Sequence, residues 1–106
     1  MKQSITSIWS EQFPRQLVEA LLTTNSKVTL QNFLGDVMTE KEIREISARF
    51  EAARLLDQKT SYAQIASITK LSSRTIARIS DWMKNGNGGY RVVLSHHKHD
   101  EPTHVE

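Results

Sequence analysis

Apolar residues recur along this chain at three- and four-residue spacing, and strand-like alternation is nearly absent. That pattern predicts helices almost throughout. Ile5, Ile8, Trp9 and Phe13 form a first stripe, which stops at Pro14. Pro14 suits the first turn of a second helix, whose stripe is Leu17 and Leu21 with Val18 and Leu22 beside it. Thr23-Thr24-Asn25-Ser26 reads as a break, and Leu30, Phe33, Leu34 and Val37 then make a third short stripe with Gly35 near its end. Thr39-Glu40-Lys41-Glu42 is a capping box, in which the Thr39 hydroxyl accepts from the Glu42 N–H and the Glu42 carboxylate reaches back. The long helix it opens aligns Ile43, Ile46, Phe50, Ala53 and Leu56 on one face and runs to about Gln58.

Ser61-Tyr62-Ala63-Gln64 has the residue types of a second capping box and opens a short helix with Ile65 and Ile68 inward. Thr69-Lys70-Leu71 is a tight connection, after which Ser72 or Ser73 caps a helix that buries Ile76, Ile79 and Met83. Asn85 to Gly89 stops that helix, since three of the four glycines of the chain lie there. Tyr90 to Leu94 fits either a closing helix or an extended segment. From His96 the chain is polar and contains Pro102, so a disordered His-rich tail is expected over 96–106. The reading is therefore an all-α domain over 1–95 with a helix-turn-helix at about 61–84.

Composition narrows the function. A chain of 106 residues has room for one domain, and 38% hydrophobic with 25% charged residues suits a folded one. The absence of cysteine excludes disulfides, thiolate zinc sites and a cysteine nucleophile. No apolar run approaches the roughly 20 residues of a membrane span, and the N-terminus shows no apolar signal core, so a soluble cytoplasmic protein is expected. The net charge of +2 says little, but its distribution is uneven. Residues 1–38 and 39–59 each cancel, and the last eleven residues carry −2. Residues 60–95 hold Lys70, Arg74, Arg78, Lys84 and Arg91 against Asp81 alone, a net +4 suited to a phosphate backbone.

That basic segment coincides with the helix-turn-helix spacing. Ala66 is small where the second helix must cross the first, and Ile65, Ile68, Leu71, Ile76 and Ile79 supply a miniature core. Ser72, Ser73, Arg74, Thr75, Ala77 and Arg78 remain near the N-terminal end of the second helix, the end that enters the major groove in this motif. Arginine donates bidentately to guanine, hydroxyls reach bases or phosphates, and Lys84 further along suits a phosphate contact. Lys70 stands where such turns usually prefer glycine, which requires a non-glycine turn geometry.

The run Leu34-Gly35-Asp36-Val37-Met38-Thr39 through Arg49, then Tyr62 to Ala66, Ser72 to Ser80 and Asn85 to Arg91, resembles the Trp repressor superfamily. Its closing Gly-Asn-Gly-Gly-Tyr-Arg looks like the YerC/YecD-type branch, and the resemblance covers roughly residues 15–94. It implies an intertwined homodimer whose two helix-turn-helix units face successive major grooves of a palindromic DNA operator. In the tryptophan-binding repressor two arginines flank the co-repressor, and the matching positions here are Arg49 and Arg78, a candidate effector pocket. Ile79 stands where that repressor has a glycine, and its bulk fills space an indole ring needs, so no tryptophan cofactor is expected. Arg49 has an equally good partner in Glu45 on its own helix turn.

Other features point nowhere specific. His96, His97, His99 and His104 lie in the expected tail with no framework to fix metal geometry, so no metal site is expected. Trp82 suits an interlocked core better than base stacking. No Ser/His/Asp grouping and no glycine-rich loop after a strand is present, and an enzyme is not expected. The competing reading is a helical protein–protein interaction module that uses the same face without specific DNA binding.

Overall fold

A computed structural model of the chain describes residues 8–100, with side chains to His96. The helices are α1 (Gln12–Leu22), α2 (Lys27–Val37), α3 (Glu40–Asp57), α4 (Tyr62–Thr69), α5 (Ser73–Asn85) and α6 (Gly89–Asp100). The chain divides into two compact units, Met1–Arg44 and Glu45–Glu106. Ile5, in the expected first stripe, lies outside the described residues.

In the first unit the break comes earlier than the pattern predicts. Ile8 and Trp9 are helical, a turn follows at Ser10, and α1 starts at Gln12, so Phe13 and Pro14 share its first turn. A proline costs no hydrogen bond there, because the first N–H groups of a helix have no intrahelical partner. Pro14 thus sits in the first turn of the second helix as expected, and Phe13, assigned to the first stripe, joins it there. Ser26, expected only as part of a break, caps α2 by accepting from the Thr29 N–H at 3.2 Å. Neither α1 nor α2 contains a buried residue. Thr39 and Glu42 close the expected reciprocal box at the start of α3, at 2.9 and 3.1 Å.

The second unit holds the core. Ala52, Ala53 and Leu55 from the end of α3 meet Ile65 of α4, Ile76 and Ile79 of α5 and Leu94 of α6. The three isoleucines are essentially inaccessible, and burying each stabilises the fold by about 1.5–3 kcal/mol. The two alanines admit them closely because they add almost no volume. Phe50 and Leu56 pack at the edge of this cluster as expected, but Ile46 is 53% exposed and lies outside the core.

Ile68, expected inward on α4, is likewise outside the core and 58% exposed. Thr69 takes the half-buried position instead. Its hydroxyl donates to the Ile65 carbonyl at 2.8 Å and accepts from the Leu71 N–H at 3.3 Å, so a polar side chain serves there without an unpaired group. Ser61 caps α4, but its hydroxyl donates to the Gln64 side chain instead of leaving that group to reach back. Tyr90 to Leu94 resolves as helix, and α6 extends through His96 to Asp100, inside the stretch expected to be disordered. Residues 101–106 and the side chains of His97 and His99 lie outside the description.

Two helix ends use lysine in the left-handed conformation. After α3, Lys59 has φ 68°. Its N–H reaches the Leu56 carbonyl at 2.9 Å, and the Thr60 N–H reaches Leu55 at 3.0 Å, the bond pair of a Schellman motif. After α4, Lys70 has φ 64° and donates to the Ala66 carbonyl at 2.9 Å. Left-handed geometry costs an L-residue about 1–2 kcal/mol, against about 0.5–1 kcal/mol for the extra chain entropy a glycine loses on folding. Lys70→Gly is therefore expected to stabilise the protein by about 0.5–1 kcal/mol, read as a higher urea midpoint at unchanged slope.

Candidate nucleic-acid interface

Helix α5 is fixed at both ends. At its start Ser72 accepts from the Thr75 N–H at 3.1 Å, and its hydroxyl donates to Thr75 Oγ1 at 3.1 Å. At its end the Gly86 N–H reaches the Trp82 carbonyl at 2.9 Å, and a Cβ on Gly86 would come 2.5 Å from that oxygen. No side chain fits there. Arg91 of α6 donates through Nε to the Met83 carbonyl at 2.7 Å, satisfying one of the carbonyls the helix end leaves open.

Ile76 and Ile79 anchor one face of α5, and Trp82 and Met83 are half-buried beside them. The opposite face presents Ser73, Arg74, Ala77 and Arg78, all exposed. Among the described residues neither Arg74 nor Arg78 forms an ion pair; the pairs present are Arg15–Glu19, Arg44–Glu40 and Arg54–Glu51. Asp81, the one acid of this segment, accepts from Asn85 Nδ2 at 2.9 Å toward the far end of the helix. The N–H groups of Ser73 and Arg74 lie in the first turn, where the helix dipole favours an anion. The first two turns of α5 thus combine two guanidinium groups, short side chains and open backbone donors.

The expected contact residues do not all stand alike. Ser72 and Thr75 are engaged with each other at the cap, and Thr75 is half-buried. Lys84 is exposed eleven residues beyond Ser73, about 16 Å along the helix, and belongs to a different cluster with Lys59 and Arg91. Arg91 was noted only as part of the basic segment and of the closing Gly-Asn-Gly-Gly-Tyr-Arg, and Lys59 by no motif; folding places both beside Lys84.

Arg49 is exposed on α3 and makes no ion pair among the described residues, so the bridge to Glu45 does not form. It lies near the Tyr90 phenol. Burial raises the Tyr90 pKa above its usual 10.0, and the Arg49 charge opposes that rise. Ile79 is 1% exposed and packs within the core cluster. The described residues contain no group of three or more His, Asp or Glu side chains arranged to hold a metal. None of their helices is long and apolar enough to cross a membrane.

Two short helices joined by a three-residue turn, with the second presenting an unpaired basic end, define a helix-turn-helix protein. The Trp repressor protein family model matches residues 13–98, and the chain belongs to that family. It is 30% identical over 86 residues to a Bacillus subtilis (strain 168) protein described as uncharacterized protein YerC, covering 81% of this chain and 83% of that one. Among solved structures it is similar to a TrpR like protein from Eubacterium eligens ATCC 27750, with TM-score 0.81 and 33% identity over 90% of this chain and 98% of the other. A putative Trp repressor from Staphylococcus aureus gives TM-score 0.81 and 25% identity, covering 91% and 96%.

Proposed function

We propose that this protein is a dimeric, sequence-specific DNA-binding regulator that acts as a repressor and reads the major groove with α5. The observation that carries the reading is the exposed, unpaired Arg74 and Arg78 on the first two turns of a helix fixed at both ends. In this reading Arg74 and Arg78 address base edges, and Ser73 and Ala77 allow close approach to the groove floor. Ser72 and Thr75 set the helix start, and Lys84 adds a phosphate contact. Relatives described as TrpR like and as a putative Trp repressor support the assignment. The protein works in the cytoplasm, on a palindromic operator, without enzymatic activity.

Arg74→Ala is expected to cost about 1–3 kcal/mol on the preferred site and to relax discrimination at the base it reads. Lys84→Ala is expected to weaken all sequences about equally and to lower the salt slope by about one. Sequences selected from random duplexes provide the sites for both measurements. Uniform loss with Arg74→Ala would reassign that residue to phosphate. Binding to DNA that is absent, or insensitive to salt, would favour a protein-interaction module on the same face.

The dimer rests on the first unit. Phe13 and Leu22 are 78% and 79% exposed, and α1 and α2 bury nothing. Helices of 11 residues are marginal alone in water, so these faces need a partner, which a second copy supplies. Sedimentation equilibrium at micromolar concentration is expected to return twice the chain mass; a folded monomer there would overturn the dimer.

Control by tryptophan is not part of the proposal. Ile79 fills the interior on the core side of α5, so the helix is held in place by the protein's own side chain. A ligand shifts an equilibrium only by its differential affinity for the two states. DNA binding is therefore expected without added tryptophan, and millimolar tryptophan is expected to change the affinity less than about threefold. A large tryptophan-dependent gain in a mobility-shift titration would restore Arg49 and Arg78 as a co-repressor pocket.

A further inference from the structure

A cleft of about 490 Å³ opens in the second unit on the side of α5 away from Arg74 and Arg78. That volume lies within the range of small-molecule sites, about 300–1,000 Å³. Its apolar walls are Leu56 and Met83, with the ring of Tyr62. Lys59, Lys84 and Arg91 bring three cations to it from the end of α3, from α5 and from α6. One carboxylate, Asp57, also lines it, leaving a net excess of two positive charges, and Ser80 contributes a hydroxyl. Arg91 is held by its Nε bond to the Met83 carbonyl, which fixes its guanidinium at the cleft while the terminal nitrogens are not used in that bond.

We propose that this cleft binds a small organic anion, a carboxylate or phosphate head on an apolar body. The head sits among Lys59, Lys84 and Arg91, and the body lies over Leu56, Met83 and the Tyr62 ring. The apolar lining of Leu56, Met83 and Tyr62 suits a ligand with an apolar body, which a phosphate backbone does not offer. Lys59 reaches the cleft from the Schellman turn that ends α3. It occupies a left-handed position, φ 68°, where glycine would be unstrained, and it is a cleft-lining side chain. Lys70 adopts the same conformation after α4 without lining the cleft, so this geometry belongs to the helix end and the cleft only uses the side chain it presents. The site shares no residue with the Arg49 and Arg78 pair, but it shares Lys84 with the proposed phosphate contact, so a duplex and a small anion compete for that side chain.

The test uses the full-length protein and phenyl phosphate, with benzoate, inorganic phosphate and phenol as comparison probes, followed by amide NMR titration. Phenyl phosphate or benzoate is expected to saturate, with shifts centred on Leu56, Tyr62, Ser80 and Met83, and to bind at least tenfold more tightly than inorganic phosphate or phenol. Lys59→Gly separates binding from folding because the two effects run in opposite directions. Its Tm is expected to rise as the left-handed strain is relieved, while the phenyl phosphate Kd weakens at least tenfold. The proposal is overturned if the shifts fail to saturate, if Lys59→Gly leaves the Kd unchanged, or if a DNA duplex shifts the cleft residues and none of the small anions does.

Discussion

Everything in the second unit depends on how three isoleucines meet two alanines. Ile65, Ile76 and Ile79 are the largest fully buried side chains, and Ala52 and Ala53 on α3 are wholly inaccessible. The combination matches volume with absence of volume: α4 and α5 supply bulk, and α3 supplies a surface they can approach. Enlarging either alanine would force the isoleucines off their rotamers, and shrinking an isoleucine would leave a cavity that helices this short cannot close. The orientation of α5, and hence which of its residues face outward, follows from this packing. Ile76 and Ile79 are three apart, so fixing both inward leaves Arg74 and Arg78 on the outer side.

Sequence reasoning reached the parts of this arrangement that are local. The Thr39–Glu42 box, the Ser61 and Ser72 caps and the glycine stop at Gly86 each act over three or four residues, and each is where the pattern puts it. Residues that depend on distant partners were read less well. Ile68 looks like core by periodicity, yet the hydroxyl of Thr69 finds partners within its own turn and takes the half-buried place. Ile46 continues a regular stripe, but the buried set begins only at Ala52. Phe13 continues the spacing of Ile8 and Trp9, but the turn at Ser10 puts it on α1 beside Pro14.

The candidate interface was legible for the same reason as the caps. Arg74 and Arg78 are near in sequence and share one helix face, so their juxtaposition needs no tertiary information. The cleft on the other side of α5 could not be read this way. Lys59, Lys84 and Arg91 come from three different helices or helix ends, and nothing in their spacing anticipates that they converge. Charge counting placed Lys84 and Arg91 in a basic segment without saying that they face a different direction from the arginines. Lys59 was counted in a segment whose charges cancel, which hid it altogether.

The glycine at the end of α5 has a mechanical meaning. Because position 86 admits no Cβ and Ser72 closes the other terminus, the helix is a rod of set length: 13 residues, about 20 Å. Ile76 and Ile79 hold this rod near its middle, so any tilt of it would move both ends at once. Pivoting it by about 5° about the nearer isoleucine would move the Met83 and Lys84 turn by less than an ångström and the Ser73 turn in the opposite sense. The two faces of α5 therefore differ in chemistry but are carried by one rigid helix seated on the core isoleucines.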